Sequence, residues 1–78
     1  MRTSTTVAVQ ATHALRQSSH PALRQLRVEG SDGELIISGR VTSYYLKQLA
    51  QETIMSVRGE LRLVNNVNVE KAALLVNV

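Results

Sequence analysis

Residues 33–41, Gly-Glu-Leu-Ile-Ile-Ser-Gly-Arg-Val, decide the fold because their side chains alternate with the two-residue period of a β-strand. Just before them, residues 30–33 are the turn formers Gly-Ser-Asp-Gly, and residues 25–29 form a shorter alternating run. Two alternating runs joined by turn residues predict a β-hairpin. On its second strand one set of side chains should face the core: Leu35, Ile37, Gly39 and Val41.

Helical spacing of apolar residues predicts one helix on each side of this hairpin. The first should span residues 6–18 and end before Pro21, which lacks an amide hydrogen and favours extended geometry at His20. The second should span residues 43–57, with Thr42 or Ser43 as its N-cap and Gly59 after its end. Beyond it, residues 63–69 are alternating and rich in β-branched side chains, which predicts a third strand.

The predicted order of elements is therefore αββαβ. A small three-stranded sheet with two helices on one face makes a two-layer α+β sandwich, with the other sheet face open. Residues 5–70 should form this single domain and residues 1–4 a disordered N-terminus. Residues 71–78 are apolar and are interpreted as a linker or tail, with an edge strand or a cover for the open sheet face as alternatives.

Composition excludes several classes of protein. The chain has 78 residues and no cysteine, which rules out disulfide bonds and thiolate zinc sites within it. No apolar run approaches the ~20 residues that span a bilayer. The formal net charge is +3, but the basic residues are spread along the chain rather than gathered in a block, so charge alone identifies no partner.

These residues resemble the BON domain, a bacterial module named after osmotically induced and nodulation proteins. The resemblance covers about residues 11–69 and needs no gap over residues 33–69. Its most specific part is residues 33–41, which look like the family's glycine, alternating strand and Ser-Gly-x-Val. Other matching positions, including those expected to be structural, are Gly33, Gly39, Ser43, Ala50, Val57, Gly59, Leu63, Asn65, Val67 and Val69.

The resemblance implies an αββαβ fold and a non-enzymatic role in envelope-associated or multidomain bacterial proteins, often linked to stress responses. Binding to phospholipid membranes is the function usually proposed for the family. A periplasmic or envelope location, and membership of a larger chain, are likewise implied by the resemblance alone. Two positions depart from the family pattern, because Glu60 stands where valine is usual and Gly30 where an apolar residue is common.

The open face of the predicted sheet is one candidate binding surface. If the core set faces the helices, three arginines project outward around two aliphatic side chains. Such a basic, partly apolar patch would suit a lipid headgroup, a second domain or the chain's own tail, and a plain solvated face is the alternative. The candidate residues are Arg27, Arg40, Arg62, Ile36 and Val64.

The second helix offers another candidate surface. Tyr44 should lie opposite its core-facing stripe, near Lys47, and an amphipathic tyrosine beside a lysine suits a membrane interface. Simple exposure of both side chains is the competing interpretation. The expected partner is thus anionic phospholipid, with another protein, bound through the open face or a strand edge, as the alternative.

No catalytic, metal or cofactor site is expected. His13 and His20 should be surface residues, and no carboxylates are spaced as an acid–base pair. Residues 30–33 match the GxxG of RNA-binding KH loops, but Asp32 would repel phosphate and the chain lacks aromatic platforms for bases. The sequence therefore predicts a binding module that is not an enzyme and does not bind nucleic acid.

Overall fold

The computed structural model describes residues 3–70, with side chains from Thr5 onward. The predicted tail at 71–78 and residues 1–2 lie outside the described residues. The elements are α1 (Thr3–Arg16), α2 (Pro21–Arg24), β1 (Arg27–Ser31), β2 (Glu34–Val41), α3 (Tyr44–Met55) and β3 (Arg62–Val69).

A mixed three-stranded sheet of order β1-β2-β3 forms one layer. β1 and β2 pair antiparallel as the predicted hairpin, whose turn residues Asp32 and Gly33 have φ of 44° and 82°. Two consecutive positive φ values are typical of the tight turns that match strand twist. β3 pairs parallel to β2, because α3 carries the chain back before β3 begins.

The α+β class is confirmed, with one correction to the number of helices. A third, one-turn helix, α2, follows α1 and precedes β1 in the chain, and it starts at Pro21, whose fixed φ suits the first helical position. Since α2 and the two residues after it occupy the chain through Leu26, β1 runs over Arg27–Ser31 rather than residues 25–29. Alternation along the chain is unchanged by this shift, so Leu26 still faces the helices and is buried.

All three helices contribute to one apolar core over the inner face of the sheet. Its fully buried large side chains are Leu15, Leu23, Leu26, Leu35, Ile37, Ile54 and Val67. Gly39 lies opposite Leu26, and a Cβ at this glycine would lie 2.6 Å from Leu26 Cδ2. The close approach explains why a glycine interrupts an otherwise apolar strand face.

The helix boundaries differ slightly from those predicted. α1 already begins at Thr3, so residues 3 and 4 are helical. Ser43 is the N-cap of α3, and its hydroxyl accepts the Leu46 amide at 3.2 Å. α3 ends at Met55 with Ser56 as its C-cap, so Gly59, at φ 62°, belongs to the turn before β3 rather than to the helix terminus.

Candidate functional site

The open sheet face contains the side chains that strand alternation assigned to it. Register pairs Ile36 with Val64 at its centre, where both are half-buried. Arg62 precedes Val64 by two residues and Arg40 follows Ile36 by four, so both arginines share this face. Arg27, paired with Ser38, lies there too.

The charge of this face is balanced rather than basic. Arg40 approaches Glu70 at 3.6 Å, and Arg62 approaches Glu34 at 3.9 Å. Glu29, paired with Ile36, is a third carboxylate on the same face. Among the described residues, this sheet face therefore carries three arginines and three glutamates. The expectation of a basic patch was wrong.

Cations gather instead at one end of the sandwich, where α1, β2 and β3 terminate and β1 and α3 begin. The antiparallel hairpin brings the start of β1 beside the last residues of β2. α2 belongs to this end as well, because it connects the end of α1 to the start of β1. We call this region the basic end. Its charged side chains within the described residues are Arg16, Arg24, Arg27, Arg40 and Glu70.

Two arginines of the basic end are held by backbone carbonyls. Arg16 donates from Nη1 to the Arg24 carbonyl at 2.9 Å, and Arg24 donates from Nη1 to the Ser18 carbonyl at 2.9 Å. Both guanidinium groups stay exposed and keep further N–H donors for other acceptors. Arg16 also lines a shallow depression together with Arg27.

Arg16 and Arg24 were not among the site residues predicted from the sequence. They lie on different helices, and the short α2 that brings them together has too few residues to show helical periodicity. Arg27, which was predicted, acquires these neighbours only through the fold.

Exposed aromatic side chains begin α3 at the same end. Tyr44 is 67% exposed and Tyr45, which sequence analysis did not single out, is 65% exposed. The rings of Tyr45 and His20 form an edge-to-face contact with their centroids 6.2 Å apart. His20 is therefore half-buried rather than a free surface residue, whereas His13 is exposed as predicted.

Lys47 is half-buried one turn into α3, where its backbone carbonyl accepts a hydrogen bond from the Asn65 side-chain amide at 3.2 Å. The same amide donates to Gln51 Oε1 at 3.3 Å. Asn65, predicted to be structural, thus ties β3 to α3. A shallow groove runs along this junction and is lined by Tyr44, Lys47, Gln48, Gln51, Glu52 and Asn65.

The end opposite the basic end carries more carboxylates. It contains the hairpin turn and the turn that leads into β3. Its charged residues are Asp32, Glu34, Glu60, Arg58 and Arg62. Two of the nine Lys and Arg residues, Arg2 and Lys71, lie outside residues 3–70, so the described part is nearly neutral but electrically polarised.

An apolar groove separates α1 from the chain that follows α3. Val9, which is 65% exposed, lines it together with Gln10, His13, Ala14, Ser56, Val57 and Gly59. Nowhere in residues 3–70 do three or more His, Cys, Asp or Glu side chains cluster closely enough to hold a metal ion. Within the same range, none of the helices combines the length and apolar character needed to cross a bilayer.

No protein-family model matches the chain. No curated protein matches it either. The resemblance to the BON domain therefore rests on the residues quoted for it.

Proposed function

We propose that this chain is a non-catalytic module that attaches peripherally to anionic phospholipid surfaces through its basic end. The observation that carries the proposal is that four arginines lie at one end of the sandwich, where Glu70 is the acidic residue among the described ones. These arginines are Arg16, Arg24, Arg27 and Arg40. A polarised charge distribution orients a nearly neutral protein toward an anionic surface. Guanidinium groups also match phosphate geometry, because they present several donors in one plane.

The tyrosines that begin α3 support the same orientation. Tyr44 and Tyr45 are exposed at the same end of the sandwich as the arginines, and tyrosine rings favour the headgroup level of a membrane. The proposal therefore retains three predicted site residues, Arg27, Arg40 and Tyr44. It leaves out the centre of the open face, where Ile36 and Val64 are surrounded by balanced charge, Arg62 at the opposite end, and Lys47, which is half-buried one turn into α3.

The expected affinity is low. Each basic residue near an anionic surface contributes ~1 kcal/mol, so four arginines correspond to a dissociation constant of roughly 1 mM at best. Binding should weaken steeply with added salt, because these charges are exposed and screened.

A vesicle sedimentation assay tests the proposal. Wild-type protein should sediment with vesicles of phosphatidylserine and phosphatidylcholine but not with phosphatidylcholine alone. Arg27→Gln and Arg40→Gln should each reduce binding about fivefold, which corresponds to the ~1 kcal/mol of one basic group. Equal binding to both kinds of vesicle, or no binding to either at low salt, would contradict the proposal.

Arg62→Gln is the matched control for Arg40→Gln. Both arginines lie on the open face, both are exposed, and both approach a glutamate. They lie at opposite ends of the sandwich, so Arg62→Gln should leave vesicle binding unchanged. Equal loss in the two variants would mean that the open face, not the basic end, meets the lipid.

A protein-interaction role on the open sheet face is the second candidate. Its balanced charges around the half-buried Ile36 and Val64 favour a complementary protein surface over a lipid. Binding of that kind buries apolar area and persists at salt concentrations that abolish charge-driven attachment. The substitution Ile36→Asp should remove it and leave vesicle binding intact.

A further inference from the structure

In the sheet formed by residues 3–70, β3 is an edge strand, and its hydrogen-bond pattern fixes which backbone groups face outward. The Arg62 amide donates to the Gly33 carbonyl at 2.9 Å, and the Glu70 amide donates to the Val41 carbonyl at 2.8 Å. In a parallel pair, alternate residues direct both backbone groups to the neighbouring strand. Even-numbered residues of β3 therefore bond to β2, and the odd-numbered ones direct their N–H and C=O groups away from the sheet.

One of these outward donors is already used within the chain. The Val67 amide donates to the Asn65 side-chain oxygen at 3.1 Å. The other atom of the Asn65 carboxamide, its nitrogen, donates to Lys47 and Gln51 of α3. The helix thus holds the carboxamide over the middle of the strand edge.

The sequence of β3 contains few other protections against strand addition. Over Arg62–Val69 it has no proline and no lysine, and its single charged residue is at the first position. Edge strands commonly rely on proline, charge or bulges to prevent pairing with another chain. An eight-residue edge without them is a template for a further strand.

We infer that the Asn65 side chain closes this edge against pairing with β3 of a second copy of the chain. An incoming strand would need the Val67 N–H at the centre of the edge, and Asn65 occupies that donor. The inference concerns self-association and is independent of the proposed lipid attachment.

Sedimentation velocity over a range of protein concentrations tests the inference. The wild-type chain should remain monomeric over the whole range, whereas Asn65→Ala should self-associate at protein concentrations at least tenfold below the highest one at which the wild type is monomeric. Asn66→Ala is the matched control, because Asn66 is the next residue of the strand, bonds to β2 and projects from the open face. A monomeric Asn65→Ala chain that is folded by circular dichroism would overturn the inference.

Amide hydrogen exchange on the wild-type protein provides a test that needs no variant to fold. The Val67 amide should exchange at least tenfold more slowly than the outward amides of Leu63 and Asn65, because the Asn65 side chain protects it. Asn65→Asp keeps the acceptor oxygen and should preserve that difference, while Asn65→Ala should abolish it. Equal exchange of the three amides in the wild type would also overturn the inference.

Discussion

At Gly39 the backbone has φ of 134°, and an added Cβ would lie 2.6 Å from Leu26 Cδ2. Leu26 is 1% exposed, so its side chain has no open space into which to move. Two costs therefore combine at one position: a backbone conformation that L side chains rarely adopt and a collision inside a close-packed core.

Gly39→Ala should lower the free energy of unfolding by about 2–6 kcal/mol, since backbone strain and overpacking each cost ~1–3 kcal/mol. Urea denaturation monitored by circular dichroism measures the change. Gly59→Ala is the control, because Gly59 has φ of 62° with nothing within 4 Å of an added Cβ. Its cost should be only ~1–2 kcal/mol, and an equal cost at the two positions would argue against the collision.

At the scale of elements, the residues at the ends of helices and strands account for most of the observed boundaries. The remaining boundaries depend on neighbouring parts of the chain. The Asp32-Gly33 turn and the alternation of β2 were readable from the sequence, and the structure contains both. α2 could not be predicted from the sequence, because a single turn starting at Pro21 is too short to show helical periodicity. The end of α3 was predicted two residues too late, at residue 57, because Gly59 was interpreted as its C-terminal signal while the chain turns earlier at Ser56.

Ser43→Ala should lower the free energy of unfolding by about 1 kcal/mol, the usual cost of losing an N-cap. The hydroxyl accepts the Leu46 amide, which otherwise has no partner within the first turn of α3. Thermal unfolding of Ser43→Ala measures the loss of stability. Thr42→Ala, at the exposed neighbouring position, is the control. An equal midpoint for the two variants would show that the cap contributes nothing.

At the scale of the whole molecule, the candidate site could be predicted only in part. Alternation assigned Arg27, Arg40 and Arg62 to one face, and it placed Glu34 and Glu29 there by the same rule. Only the register between the strands shows which glutamate lies near which arginine. The grouping of Arg16 and Arg24 with Arg27 depends on how α1, α2 and the hairpin pack, which no local pattern encodes.

A single core also predicts a single unfolding transition. Leu15→Ala removes a fully buried side chain of α1 and should cost about 3 kcal/mol. Amide signals of β3 and of α1 should lose intensity at the same urea concentration in this variant. Val9→Ala changes an exposed position of the same helix and should shift stability by less than ~0.5 kcal/mol. Separate midpoints for helix and strand would show that the layers unfold independently.

The parallel pairing of β2 with β3 also has a kinetic consequence. The β1–β2 hairpin joins neighbouring segments, whereas β3 meets β2 only after α3 and the turn behind it have closed a long loop. Closing a long loop costs conformational entropy, and the contacts that offset this cost form only afterwards. We therefore expect β3 to join the sheet last on the folding pathway. The transition state would then contain the hairpin with its helices, and substitutions in β3 would mainly accelerate unfolding.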